Sequence, residues 1–367
     1  MLRRCNGLSG RARWAIPVVM SNAARQAAAA PKLRFWLWLV ALLIFCMVIV
    51  GGITRLTDSG LSITEWQPIL GAWPPMNDAD WDTAFGKYKL IPEFIQQNST
   101  MTLAEFKHIY FWEWGHRNLG RLIGLVFAVP FLLFVLFRRI TMPLFWRLLL
   151  LLILGGAQGA MGWYMVKSGL VDRVDVSQYR LAAHLLLASL IFALVIWTLL
   201  GIGVERLRPR SWNAWMALFL VALVLLQIAA GGLVAGLDAG MGFNTWPKMD
   251  GQYVPDGLLI MEPAWRNFFE NAMTVQFTHR MIAYGLFAFA IIHAWQSYTL
   301  ASLAFLYVLF IQAAIGILTL ITSVPLALAL THQAGAMLTL LAAVLNLHRQ
   351  LRQLPGQFAP FGSLIAA

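Results

Sequence analysis

The chain alternates between long uncharged apolar runs and short clusters of charge. The apolar runs fall near 35–54, 114–137, 143–166, 181–203, 213–235, 274–296, 299–322 and 326–347. A helix rises about 1.5 Å per residue, so about 20 residues cover a hydrocarbon layer roughly 30 Å thick. Inside lipid every backbone N–H and C=O has to be paired within the chain, which makes each such run a helix. The pattern predicts an all-α integral membrane protein with eight spans. Two long polar connections, about 55–113 and about 236–273, stand out among short ones.

Composition supports this reading. Of the 367 residues, 60% are hydrophobic and 12% charged, against roughly 25% charged in a soluble domain. The net charge of +11 points to no nucleic-acid partner, because the basic residues collect at span ends and form no stripe on a soluble face. Cys5 lies in the N-terminal tail and Cys46 in the first span, so no disulfide is expected, and no Cys/His cluster suggests zinc or iron–sulfur binding.

The charge is distributed unevenly. The N-terminus, the connections after spans two, four and six, and the C-terminus together hold fifteen of the 27 Lys/Arg and one of the sixteen acids, Glu205. The positive-inside rule then puts both termini in the cytoplasm and both long connections outside. Residues 1–34 carry seven Lys/Arg and no acid. They read as a basic cytoplasmic tail, with an Arg-rich transit peptide as the alternative.

An internal repeat organises the chain. Gly51, Gly52, Asp58, Gly60 and Trp66 recur 180 positions on as Gly231, Gly232, Asp238, Gly240 and Trp246. His116-Arg117 matches His279-Arg280, Gln158 and Gly162 match Gln312 and Gly316, and His184 matches His332. The unit is four spans, an even number, so both copies share one orientation. The predicted architecture is two parallel-repeat four-helix bundles. Its parts are a tail at 1–34, a bundle at 35–203, a cytoplasmic linker at 204–212, a second bundle at 213–348 and a tail at 349–367.

Four histidines, His116, His184, His279 and His332, fall early in spans two, four, six and eight, near the outer face. A single histidine in a span is more simply one satisfied by a backbone carbonyl. Four at repeat-equivalent positions favour two pairs of axial haem-iron ligands, one pair in each bundle. His108 reads as an outer-loop residue, His293 as belonging to the opposite membrane face, and His348 as part of a basic end, each surface or capping rather than ligand. Arg117 and Arg280 follow the first histidine of each half. They suit haem propionates or interfacial snorkelling equally. Gly155, Gly156, Gly159 and Gly162 give span three a small-residue face for close helix packing, or for a flat macrocycle.

The halves differ three residues before that first histidine, where Glu113 faces the position of Gln276. The i, i+3 spacing puts each side chain on the histidine's face of the helix. A carboxylate can exchange a proton or stabilise positive charge beside a haem, and an amide exchanges none. The first half therefore reads as the reactive one, the plainer alternative being a helix-start acid that favours the dipole.

These residues resemble the haem A synthase family, in the branch shared by mitochondria and their bacterial relatives. The resemblance covers the chain after about residue 33. It rests on GlyGlyIleThrArgLeuThrAspSerGlyLeuSer at 51–62, GluPheLysHisIleTyrPheTrpGluTrpGlyHisArg at 105–117, and the four histidines in order. It implies an oxidoreductase acting on a CH or CH2 group, which converts haem O to haem A by two successive oxidations of one porphyrin methyl to a formyl. It also implies haem b as cofactor on His279 and His332, the substrate haem at His116 and His184, and Glu113 as the catalytic residue. Another branch carries a cysteine pair in its first outer loop, and this chain has no cysteine in either outer loop. The implied location is a bacterial inner membrane rather than a mitochondrial one. The implied partners are membrane lipid, a haem O-producing farnesyltransferase and cytochrome oxidase assembly factors, with association into homo-oligomers left open. The rival function is a di-haem b561-like electron carrier, which places haems near both membrane faces. A parallel-repeat transporter is a further rival and needs broken helices or polar groups at mid-membrane.

Overall fold

A computed structural model describes residues 21–67, 69–172, 174–204 and 211–352. Residues 1–20, most of the 204–212 linker, and 353–367 of the C-terminal tail lie outside the described residues. Eight helices among those described are long and apolar enough to cross a bilayer. They are α1 (Asn22–Leu56), α4 (Leu103–Leu136), α5 (Met142–Asp172), α6 (Gln178–Leu200), α7 (Trp212–Gly236), α9 (Ala272–Ser297), α10 (Leu300–Ile321) and α11 (Leu326–Arg352). The short helices α2 (Asp78–Tyr88), α3 (Pro92–Gln96) and α8 (Asn267–Glu270) lie in the two long connections.

Several helices outrun the apolar runs that announce them. α1 begins at Asn22, inside the segment read as a tail. Ser21 caps it by accepting from the Ala24 N–H, and the alanines at 27–30 are strong helix formers. Ala29 and Leu33 of this extension are buried in the core. α11 likewise runs on to Arg352, past the predicted end of the second bundle.

α4 begins eleven residues before the apolar run, on a reciprocal cap between Thr102 and Glu105. Its extra turns are amphipathic. Phe106, Ile109, Tyr110 and Glu113 are buried at helical spacing, and the apolar three join Leu61, Trp81, Phe85, Tyr88 and Ile91 in a separate small core. The connection at 55–113 is thus a helical unit with its own apolar centre, and His108 lies in a helix, where its ring accepts from the Trp112 indole at 3.3 Å.

Within the first half α1 packs on α4 and α6, and α5 on α4 and α6. Within the second, α7 packs on α9 and α11, and α10 on the same two. α6 meets α7 and α11, and α1 meets α11, between the halves. One continuous hydrophobic core draws residues from all eight spans. His293 belongs to that interior and not to a surface. It is fully buried, and its Nε2 pairs with the Asn346 amide at 3.0 Å. His348 is also buried, edge-on to Trp197. Packing against a neighbouring span covers both, α11 over His293 and α6 over His348.

The repeated glycine pairs have two separate uses. A Cβ on Gly52 would strike the Gln333 side chain of α11, and one on Gly232 would come within 2.8 Å of the Ala182 Cα of α6. The second glycine of each pair therefore lets the other half approach. The first faces a histidine of its own half.

Candidate haem-binding site

Each of the four histidines projects from its helix onto a glycine of a neighbouring span. A Cβ would lie 3.4 Å from the His116 ring at Gly51, 3.3 Å from His184 at Gly162, 3.2 Å from His279 at Gly231 and 2.6 Å from His332 at Gly316. A Cβ at Gly316 would displace the His332 ring, one at Gly162 or Gly231 would crowd its histidine, and one at Gly51 would make ordinary contact. His116 and His184 are close enough to sense each other's charge, as are His279 and His332.

Glutamines hold three of the four. Gln227 Nε2 donates to the His279 carbonyl at 3.1 Å and lies 3.2 and 3.1 Å from the ring nitrogens. Gln312 Nε2 donates to the His332 carbonyl at 2.9 Å and lies 3.1 Å from its Nδ1. Gln158 Nε2 donates to the His184 carbonyl at 3.1 Å. The Oε1 atoms of Gln158, Gln227 and Gln312 and the Nδ1 of His184 are buried without a hydrogen-bond partner among the described residues. Such atoms are expensive to leave unmet and cluster at ligand sites. Gln227 escapes a sequence search because its counterpart in the first half is Met47.

The two arginines clamp the long connections. Arg117 donates to the carbonyls of Ile63 at 2.8 Å and Glu65 at 2.9 Å. Arg280 donates to those of Phe243 and Thr245, each at 2.9 Å. Those carbonyls are themselves repeat-equivalent, 180 positions apart. Arg117 also spends its Nε on Glu113, whereas the Arg280 Nε is buried and unpaired among the described residues. The left-handed turns at Asp58 (φ 47°) and Asp238 (φ 49°) repeat as well. Arg55 joins these turns, meeting Asp58 at 2.9 Å, Asp238 at 3.0 Å and Asp175 at 3.5 Å. Connections after α1, α5 and α7 therefore share one end of the molecule.

Glu113 and Gln276 complete the clamps with opposite polarity. Glu113 is 2% exposed. Its Oε1 accepts from Arg117 at 2.6 and 3.0 Å, and its Oε2 accepts from the Ile63 N–H at 2.6 Å and the Ser62 hydroxyl at 2.7 Å. Gln276 accepts from Arg280 at 2.8 Å but donates to the carbonyls of Ala239 at 2.6 Å and Gly242 at 2.8 Å. Beside the first clamp a cavity of about 290 Å³ opens among Ser62, Ile63, Tyr110 and Arg117.

Residues 34–344 match the model of the COX15-CtaA family, described as cytochrome oxidase assembly protein. The chain belongs to this family. Its similarity to curated family members runs nearly end to end. It is 53% identical over 333 residues to the Heme A synthase of Azorhizobium caulinodans, covering 87% of this chain and 95% of that one. It is 52% identical over 318 residues to that of Mesorhizobium japonicum (84% and 87% covered) and 51% over 322 to that of Parvibaculum lavamentivorans (86% and 94%).

The glycine face of span three is resolved differently from the packing expectation. Gly162 meets His184, but a Cβ on Gly155, Gly156 or Gly159 would meet nothing within 4 Å. The second half has Leu309, Phe310 and Ala313 at the matching places. The first half is thus the more open of the two along this helix.

Proposed function

We propose that the chain is a haem A synthase, an oxidoreductase that converts a methyl of haem O to the formyl of haem A. The observation that carries this is the repeated seat, an imidazole on a glycine, with a carboxylate clamp in the first half alone. Family members named for that activity support it. The eight spans then form two similar four-helix groups, at 35–203 and 213–348, fused through α6, α7 and α11. His279 and His332 would hold haem b in the second, where it supplies one-electron chemistry. The glycines beneath the rings and the unpaired glutamine oxygens fit such a group.

His116 and His184 would hold the substrate haem in the first half. Glu113 accepts four hydrogen bonds, which occupy both of its oxygens. It acts as a fixed negative charge that holds 62–65 beside the substrate and favours positive charge developing there. Arg280 keeps an Nε–H for a propionate, while Arg117 is consumed by its clamp. The protein would sit in the bacterial inner membrane with both termini cytoplasmic and 57–102 outside. A haem O-forming farnesyltransferase would supply the substrate, and the product would pass to oxidase assembly.

The test is the pigment extracted from purified protein. Haem b together with haem O or A is expected, and His279→Ala or His332→Ala should lose the haem b. Haem b alone would instead favour an electron carrier, and normal haem b content in both variants would overturn the C-terminal assignment.

A further inference from the structure

Four residues before the glycine beneath each ring stands the side chain that touches, or fails to touch, that histidine. The pairs are Gln158 with Gly162, Gln227 with Gly231, Gln312 with Gly316, and Met47 with Gly51. The i, i+4 spacing puts both members of a pair on one helix face. In three pairs an amide reaches the histidine, at 2.9 to 3.1 Å from its carbonyl. In the fourth a thioether stands instead. Its methyl lies near Gly120, where a Cβ would be 3.1 Å from Met47 Cε. The His116 ring makes no hydrogen bond among the described residues, and its glycine seat is the loosest of the four at 3.4 Å.

We infer that this position decides how firmly each haem ligand is held, and that Met47 makes His116 the exchangeable one. The inference rests on the haem reading above and goes beyond it by naming the residue that separates a resident cofactor from a passing substrate. Partners outside the ligand set fix the ring orientation and tautomer of a metal-binding histidine, and removing one costs about 10–100-fold in affinity. The three amides donate to the histidine's own carbonyl and so tie that residue's backbone to the neighbouring span; a thioether donates no hydrogen bond, so Met47 gives His116 no such tie. A product haem has to leave, and one ligand that turns away easily permits it. Gln227 and Gln312 hold both ligands of the other half, where release serves nothing. Met47 and the three glutamines are positioning residues, since none is assigned contact with the reacting methyl.

The experiment measures haem transfer from purified full-length protein, loaded with haem b in detergent, to excess apomyoglobin. The parent protein should give a fast and a slow phase, with the fast phase missing in His116→Ala. Met47→Gln should slow the fast phase by about 10–100-fold. Met47→Leu, which restores no donor, should leave it unchanged. Gln227→Met should accelerate the slow phase and tests the same assignment from the other half, whatever Met47→Gln does to folding. Unaltered rates in both Met47→Gln and Gln227→Met would overturn the inference. So would loss of the fast-phase haem in Met47→Leu, which would make the sulfur itself a ligand. Absence of any bound haem in the parent, read from pigment content, would sink the haem reading and this inference with it.

Discussion

At the scale of single residues, Glu113 and Gln276 show why equivalent positions are not interchangeable. The i, i+3 spacing to His116 marks Glu113 as the difference between the halves, but its loop partners Ser62 and Ile63 are 51 and 50 residues away in sequence. Because it meets two donors of the loop at 62–63 and Gln276 meets two carbonyls, Glu113→Gln does not recreate the second site. It turns an amide NH2 toward the Ile63 N–H, and a buried donor left unmet costs about 1–3 kcal/mol. We expect Glu113→Gln to fold and keep haem b, to expose the 60–67 segment to faster hydrogen exchange, and to form haem A about 10²–10³-fold more slowly. Normal haem A formation in this variant would return Glu113 to the role of a helix-start acid.

At the scale of elements, the connection at 57–102 packs around a small core that α4 completes, and it holds a buried acid. Glu93 is 2% exposed and takes hydrogen bonds from the Tyr88 hydroxyl at 2.9 Å and, more distantly, the Asn98 amide at 3.5 Å. Burial pushes its carboxyl up to about 8, the Tyr88 bond offsetting part of this and the charges of Glu113, Asp58 and Asp175 adding to it. Below the ordinary value of 4.5 the group is protonated in folded and unfolded chains alike. Between there and about 8 the unfolded chain releases a proton that the folded one keeps, so stability falls as pH rises. Above that range the penalty is constant, on the order of a few kcal/mol. Glu93→Gln should therefore match the parent in thermal stability near pH 5 and exceed it near pH 8.5, read from melting or from proteolysis of the 57–102 segment. Equal pH slopes for the two proteins would contradict this. The unit itself was half legible. Thr102 and Glu105 form a recognisable cap, and Phe106, Ile109 and Tyr110 carry a helical period. The apolar-run reading missed them because membrane spans are found by continuous hydrophobicity, and this extension is amphipathic.

At the scale of the whole molecule, orientation follows from charge and parity. The Arg55 contacts with Asp175 and Asp238 put three connections at one end, and the asymmetry of basic residues predicts that this end lies outside. A periplasm-dependent reporter inserted within 75–100 should be active, and one fused after Arg210 inactive. The reverse pattern would move all four histidines to the cytoplasmic side. Span number, the repeat, the four histidines and the odd carboxylate are all legible in the chain's residue order, because lipid forces apolar runs into helices and a repeat keeps matched residues in register. Other features depend on neighbours distant in the chain and emerge only on packing. Examples are the single core through both halves, the burial of His293 against Asn346, the division of labour within each glycine pair, and the reversed polarity of the two clamps. Gln227 and Met47 belong with these, since a side chain's partner across a helix interface is set by packing geometry, which no spacing along one helix encodes.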